Sequence, residues 1–203
     1  MTSIAENLER VREQITQAAA KVGRAVNEIE LVAVTKTHPA EKVREAVEAG
    51  HTVLGESRVQ EARAKIPELP SNLRWHFVGH LQKNKIRHAL PLFELFHGVD
   101  SLASAQEMNR IAAEDGEHPR LLLEVNVAGE GSKFGFSPET LRAEIGSLLA
   151  LPRLSIEGFM HIARLGVPER RCRLSGTSHR PYTKSPTRAQ ETASPRCLQR
   201  PRL

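Results

Sequence analysis

The 203-residue sequence predicts an α/β protein with a parallel sheet, because six strand-like segments alternate with helix-like segments. Strands that are each joined by a helix pair in parallel through right-handed crossovers. A closed barrel and a doubly wound sheet share this local pattern. The first strand is not followed by Gly-x-Gly-x-x-Gly, which disfavours a dinucleotide-binding sheet.

An amphipathic helix is predicted before the first strand, since apolar residues recur at spacings of three and four from Ile4 to Val22. Ser3 with Glu6 fits a capping box, and Gly23 fits the helix end. The strand candidates are residues 30–35, 52–55, 74–79, 94–98, 121–127 and 155–161. The helix candidates between them are residues 39–49, 58–66, 82–90, 104–115 and 137–150, with N-caps at Ser104 and Ser137.

The basic charge of the chain, +5 overall, is concentrated in its last forty residues. Residues 164–203 have a net charge of +8, which leaves −3 for residues 1–163. The Arg-rich segment raises the alternative of a nucleic-acid-binding module, but Tyr182 is its only aromatic residue, which disfavours a stacking platform. We therefore expect no nucleic-acid partner. The amino terminus has no apolar signal core and no apolar run is long enough for a membrane span, so a cytoplasmic protein is expected.

The strand–helix alternation ends near Arg164. Residues 167–203 contain five Pro, many Arg and Ser, and both cysteines, with no helical or strand period. Such a segment buries too little apolar surface to offset its ordering entropy. We predict a β/α domain over residues 1–166, incomplete at its carboxyl end, and an Arg/Pro/Ser-rich tail over 167–203 that is disordered or out of frame.

Lys36 is the first candidate site residue, because it ends the apolar strand that starts at Leu31. The carboxyl ends of the strands in a β/α barrel face one shared site, and a neutral amine there can attack an aldehyde to form a Schiff base. A solvated strand-end lysine is the alternative interpretation. By the same argument His80 follows the third strand and is a candidate proton carrier, or simply a hydrogen-bonded strand-end histidine. No metal-ligand spacing is present in residues 1–163.

Three segments in order carry a family resemblance: Glu30-Leu-Val-Ala-Val-Thr-Lys36-Thr-His-Pro, Leu54-Gly-Glu-Ser-Arg-Val-Gln-Glu, and Trp75-His-Phe-Val-Gly-His-Leu-Gln-Lys-Asn-Lys85. Together they resemble the pyridoxal phosphate homeostasis proteins, the YggS/PROSC family, over residues 1–166. The resemblance implies a TIM-type (β/α) barrel like the N-terminal domain of alanine racemase, with an extra N-terminal helix. It also implies that Lys36 carries pyridoxal 5′-phosphate as a Schiff base.

The resemblance implies further cofactor contacts at His80, Asn84 and Met160. Ser57 stands where relatives usually have Asn, so its contact to the cofactor ring changes from an amide to a hydroxyl. Ser132-Lys133-Phe134-Gly135 matches another family segment. The family's phosphate-binding strings, Ser-Met-Gly-Met-Ser and a later Gly-Thr, are absent from this sequence.

The function implied by the resemblance is pyridoxal phosphate homeostasis without an assigned catalytic reaction. The partners would be the cofactor and pyridoxal-phosphate-dependent apo-enzymes that receive it, and a monomer is expected. Two alternatives stay open. One is a racemase-like enzyme that acts on amino acids through Lys36 and His80, and the other is an inactive form with an incomplete barrel.

Overall fold

The computed structural model describes residues 3–127 and 134–162, which form one six-stranded parallel sheet with helices between the strands. The strands are β1 Ala33–Val34, β2 Val53–Glu56, β3 Arg74–Phe77, β4 Leu95–Val99, β5 Arg120–Glu124 and β6 Ser155–Met160. The helices are α1 Ile4–Lys21, α2 Ala40–Glu48, α3 Val59–Lys65, α4 Ile86–Ala89, α5 Leu102–Asp115 and α6 Pro138–Leu149. The predicted domain boundary at 166, the tail and Lys133 lie outside the described residues.

The strands are hydrogen-bonded in chain order from β1 to β6. A doubly wound sheet would reverse its strand order at a switch point, so the order here is that of a TIM-type barrel, as predicted. Helix α1 precedes the first strand and starts with the predicted capping box. The Glu6 N–H donates to Ser3 Oγ at 3.1 Å, and the Ser3 N–H donates to Glu6 Oε2 at 2.8 Å.

Two element predictions need correction. Ser104 is not the N-cap of α5. The helix begins at Leu102, two residues earlier than predicted, because only Asp100 and Ser101 separate it from β4. Ser101 is the N-cap, and its Oγ accepts the Ser104 N–H at 3.3 Å. The predicted helix over 82–90 is divided into a 3₁₀ turn, the four-residue α4 and a second 3₁₀ turn that contains Pro91. Proline lacks the N–H that a longer helix would need at that point.

The two faces of the sheet bury different apolar residues. Leu121 and Leu123 of β5 belong to the main core beneath the helices, whereas Leu122 packs with Leu95 and Met160 on the opposite face. This alternation follows from the two-residue period of a strand. Three phenylalanines anchor the main core through edge-to-face and tilted contacts, with ring centroids 5.1 to 6.1 Å apart: Phe77, Phe93 and Phe96.

Arginine and glutamate side chains alternate along the amino-terminal ends of the strands and form ion pairs. Arg74 pairs with Glu30 and Glu94, and Arg120 pairs with Glu94 and Glu157, at 2.5 to 2.7 Å. The Arg74 guanidinium, which donates to Glu94, lowers the pKa of that carboxyl to about 2. This end of the sheet lies opposite the predicted site and ties neighbouring strands together. Within the described ranges no helix is both long and apolar enough to cross a bilayer.

Candidate functional site

The carboxyl ends of β2 to β5 approach one another closely at the predicted site. A Cβ on Gly79 would lie 2.9 Å from the Ser57 Cβ, and a Cβ on Gly98 would lie 2.4 Å from the Gly79 carbonyl oxygen. The same Gly98 Cβ would lie 3.3 Å from Glu124 Oε2. Only glycine allows this spacing at Gly98, because the neighbouring atom is backbone. The loops that carry the predicted residues therefore start from adjacent positions.

Lys36 stands at this end of the sheet, two residues beyond β1, and its side chain is exposed. The strand register continues past β1, since the Thr35 N–H donates to the Gly55 carbonyl oxygen at 2.8 Å. In the part of the chain that the structure describes, the Lys36 Nζ has no hydrogen bond and no ion pair. Its amine is therefore open to a reaction partner at the loop face of the sheet.

A second lysine beneath this position is fully engaged. The Lys65 Nζ donates to the Thr35 carbonyl oxygen at 2.8 Å and to Glu56 Oε1 at 2.5 Å, and lies 3.5 Å from Glu61 Oε2. Glu56 is completely buried, and the Lys65 side chain is 10% exposed. An ammonium has three donors, and these three oxygens engage the Lys65 nitrogen. Of these two lysines, only Lys36 has a side-chain nitrogen without a partner among the described residues.

His80 forms a short contact with an aspartate from the next strand. Its Nδ1 lies 2.7 Å from Asp100 Oδ2, and the imidazole stacks on Phe134 with centroids 4.1 Å apart. The Asp100 carboxylate accepts a hydrogen bond from Nδ1–H and orients the ring, as carboxylates do beside imidazoles. The other ring nitrogen, Nε2, has no hydrogen-bond partner among the described residues. This pair has the arrangement of a proton carrier.

The other three predicted contacts occupy different environments. Ser57 is half-buried, and its N–H donates to Glu56 Oε2 at 3.0 Å. Asn84 is exposed in the 3₁₀ turn Lys83–Lys85 after β3. Met160, at the end of β6, is 2% exposed and packs against Leu95 and Leu122. The structure therefore brings Ser57 beside Gly79, the residue before His80, whereas Met160 is enclosed by apolar neighbours.

Sequence reasoning missed Lys65, Glu61 and Phe134 as neighbours of the site. Glu61 and Lys65 are four residues apart on α3, a spacing that is also common in solvated helices, so it gave no specific signal. Phe134 belongs to the family segment Ser132–Gly135, which gives no signal of a contact with His80, because the stacking depends on the folded loop.

A cavity of about 600 Å³ lies at the other end of the sheet, among Arg12, His51, Arg74 and parts of α1. None of the predicted site residues lines it. Burial lowers the pKa of His51, whose Nε2 lies 2.9 Å from the Val53 carbonyl oxygen. The cavity is therefore separate from the strand-end site.

Comparison with known families finds one matching domain. The model of the alanine racemase N-terminal domain matches residues 4–190. Curated relatives extend the likeness: a Pseudomonas aeruginosa protein named pyridoxal phosphate homeostasis protein is 41% identical over 165 residues, 80% of this chain and 71% of its own length. A protein of the same name from Escherichia coli K12 is 37% identical over 166 residues, 80% of this chain and 71% of its own length.

Solved structures of related proteins have a similar fold. PipY of Synechococcus elongatus, in a structure described as having PLP bound, superposes with a TM-score of 0.66 at 40% identity, over 78% of this chain and 74% of its own. An alanine racemase from Clostridium difficile superposes with a TM-score of 0.59 at 18% identity, over 76% of this chain and 40% of its own. At that identity the second likeness concerns the fold alone.

Proposed function

Because this chain belongs to the pyridoxal phosphate homeostasis proteins and carries the alanine racemase N-terminal domain, we propose that it binds pyridoxal 5′-phosphate and holds it covalently through Lys36. The observation that carries the proposal is the contrast between the free Lys36 amine and the engaged Lys65 amine. The cofactor, when bound, supplies an aldehyde carbon that joins reversibly to amines. A free amine on the loop face of the sheet fits that chemistry.

Three further side chains of this end of the sheet would contact the bound cofactor. His80 offers an open Nε2, oriented by Asp100 at 2.7 Å. Ser57 offers a half-buried hydroxyl beside Gly79, and Asn84 offers an exposed amide on the loop after β3. We also propose that Met160 contributes to the apolar surface beneath the cofactor, because it lies at the end of β6 in a buried cluster with Leu95 and Leu122.

The proposed role is that of a carrier without a catalytic reaction of its own. Its recipients would be pyridoxal-phosphate-dependent apo-enzymes of the cytoplasm, and the working form would be a monomer. Reversible attachment to one lysine suits this role, since the amine can release the cofactor again to water or to another lysine. To test the transfer, the cofactor-loaded protein is mixed with an apo-enzyme, the two are separated by gel filtration, and the activity of the recovered enzyme is measured.

Absorbance titration tests the covalent attachment. Wild-type protein mixed with pyridoxal phosphate should develop the band of a Schiff base, and K36A should not. Lys42→Ala is the matched control, because Lys42 is an exposed lysine in the first turn of α2, close to Lys36 in the sequence. A band that persists in K36A and disappears in another lysine variant would refute the assignment.

A racemase-like enzyme is the second candidate, and the His80–Asp100 pair favours it. Racemisation needs groups that remove and return a proton, and an imidazole oriented by a carboxylate can do so near neutral pH. Chiral chromatography of alanine incubated with cofactor-loaded protein decides between the candidates. Turnover that is lost in both H80A and K36A would support an enzyme, and an unchanged enantiomer ratio would support the carrier.

A further inference from the structure

Two side chains of α3 contact the two peptide groups that flank Lys36. The Lys65 Nζ donates to the Thr35 carbonyl oxygen at 2.8 Å, on the peptide group before Lys36. The Glu61 Oε2 accepts the Thr37 N–H at 2.9 Å, on the peptide group after it. Because peptide groups are planar, the backbone of one residue is fixed when both flanking planes are fixed. Glu61 and Lys65 therefore hold the backbone from which the Lys36 side chain departs.

The backbone held in this way is a strained turn. The His38 N–H donates to the Thr35 carbonyl oxygen at 3.1 Å, so Lys36 and Thr37 occupy the two central positions. Thr37 has a φ of 65°, a region that β-branched residues avoid. Such a conformation persists only where surrounding contacts enforce it. The bond from the Thr37 amide to Glu61 supplies one such contact, and the bond from the Thr37 hydroxyl to the Lys36 carbonyl, at 2.6 Å, supplies another.

The two α3 side chains are themselves held in place. Lys65 is bonded to the fully buried Glu56, whose other oxygen accepts the Ser57 N–H at 3.0 Å. Glu61 lies 3.5 Å from the Lys65 Nζ on the same face of α3 and 3.2 Å from the Arg58 guanidinium. The hydrogen bond from the Thr37 N–H lowers the pKa of the Glu61 carboxyl, so the carboxylate remains a hydrogen-bond acceptor at neutral pH. One face of α3 thus places the Lys65 ammonium against the Thr35 carbonyl and the Glu61 carboxylate against the Thr37 N–H.

We propose that Glu61 and Lys65 are positioning residues that direct the Lys36 amine toward the aldehyde of the cofactor. This inference rests on the proposed function of Lys36. In the reaction, the Lys36 nitrogen forms a bond to the aldehyde carbon, and the aldehyde oxygen leaves as water with the two amine protons. Attack requires the nitrogen to approach the carbon in a narrow range of directions, so a loosened turn lowers the rate even where the amine is intact.

The test measures the rate at which Lys36 is modified. Cofactor-free protein is mixed with pyridoxal phosphate, samples are reduced with borohydride at intervals, and peptide mass spectrometry gives the ratio of label at Lys36 to label at Lys42. Glu61→Ala removes the acceptor for the Thr37 amide, whereas Glu61→Gln keeps an oxygen that can accept it. Arg63→Ala is the matched control, because Arg63 is an exposed residue of the same helix.

We expect E61A to lower the Lys36-to-Lys42 ratio about tenfold, E61Q to keep most of the wild-type rate, and R63A to match wild type. Amide hydrogen exchange at Thr37 should accelerate in E61A while the melting temperature stays close to that of E61Q. Equal Lys36 rates in E61A and wild type would overturn the positioning role and leave the proposed function intact. A wild-type protein with no preference for Lys36 over Lys42 would overturn both.

Discussion

The Lys65 Nζ lies 2.8 Å from the carbonyl oxygen of Thr35, the residue directly before Lys36. This contact joins a buried ion pair to the backbone of the proposed cofactor lysine. The two lysines therefore have different surroundings. Three oxygens surround the Lys65 nitrogen, whereas the Lys36 side-chain nitrogen has no partner among the described residues.

Lys65→Met should destabilise the protein by about 3–5 kcal/mol, because it leaves the Glu56 carboxylate buried without its partner. The double variant K65M/E56M should recover much of that loss, since no uncompensated charge remains. Urea unfolding at neutral pH measures both. A single variant as stable as wild type would contradict the buried ion pair.

Gly98→Ala should be strongly destabilising, by at least about 1–3 kcal/mol, because the added methyl group would lie 2.4 Å from the Gly79 carbonyl oxygen. Gly146→Ala on α6 is the matched control, since a Cβ there meets nothing within 4 Å. That change should stabilise the helix by about 0.5–1 kcal/mol. Thermal unfolding of the two variants measures the difference. Similar effects at both positions would contradict the close approach of the Gly98 and Gly79 backbones.

Acid should weaken the charged network at the strand starts. The folded-state pKa of Glu94 is about 2, below its usual 4.5, chiefly because Arg74 donates to it. A carboxyl with a lowered pKa contributes stability above pH 4.5 and loses it as the pH falls toward 2. The Glu94 side chain is 32% exposed, so we expect about 1–2 kcal/mol after screening.

The variant E94Q isolates that contribution. Its stability should be lower than that of wild type at neutral pH, and the two curves should converge as the pH falls through this range. Glu48→Gln, at an exposed position that ends α2, should run parallel to wild type. Urea midpoints measured between pH 7 and pH 2.5 provide the comparison. Parallel curves for E94Q and wild type would contradict the assigned ion pairs.

We expect the protein to retain pyridoxal phosphate weakly. The sequence lacks the family's phosphate-binding strings, and each lost charge-assisted hydrogen bond costs about 1.5–3 kcal/mol. Thermal unfolding with and without excess pyridoxal phosphate is the measurement. A melting temperature raised several degrees by the cofactor, as ligand linkage requires of a tight complex, would contradict this expectation.

Periodicity and turn signals predicted all six strands and most of the helices between them, because apolar spacing directly reflects the burial of faces; the exception is the segment 82–90, where a short helix lies between two 3₁₀ turns. The order of the strands in space could not be read from that pattern, since barrels and doubly wound sheets share it. Strand ends predicted Lys36 and His80 as site residues, and both follow strands at the carboxyl end of the sheet; their roles in a site stay a prediction. Lys65 and Glu61, which contact the peptide groups beside Lys36, could not be predicted, because they lie on a helix whose rotation about its axis depends on packing.

Covalent attachment of the cofactor to Lys36 is tested by mapping the reduced adduct. The protein is loaded with pyridoxal phosphate, reduced with borohydride, digested and sequenced by mass spectrometry. We expect one modified peptide, labelled at Lys36, and no comparable label at Lys65. Label at another lysine, undiminished in K36A, would contradict it.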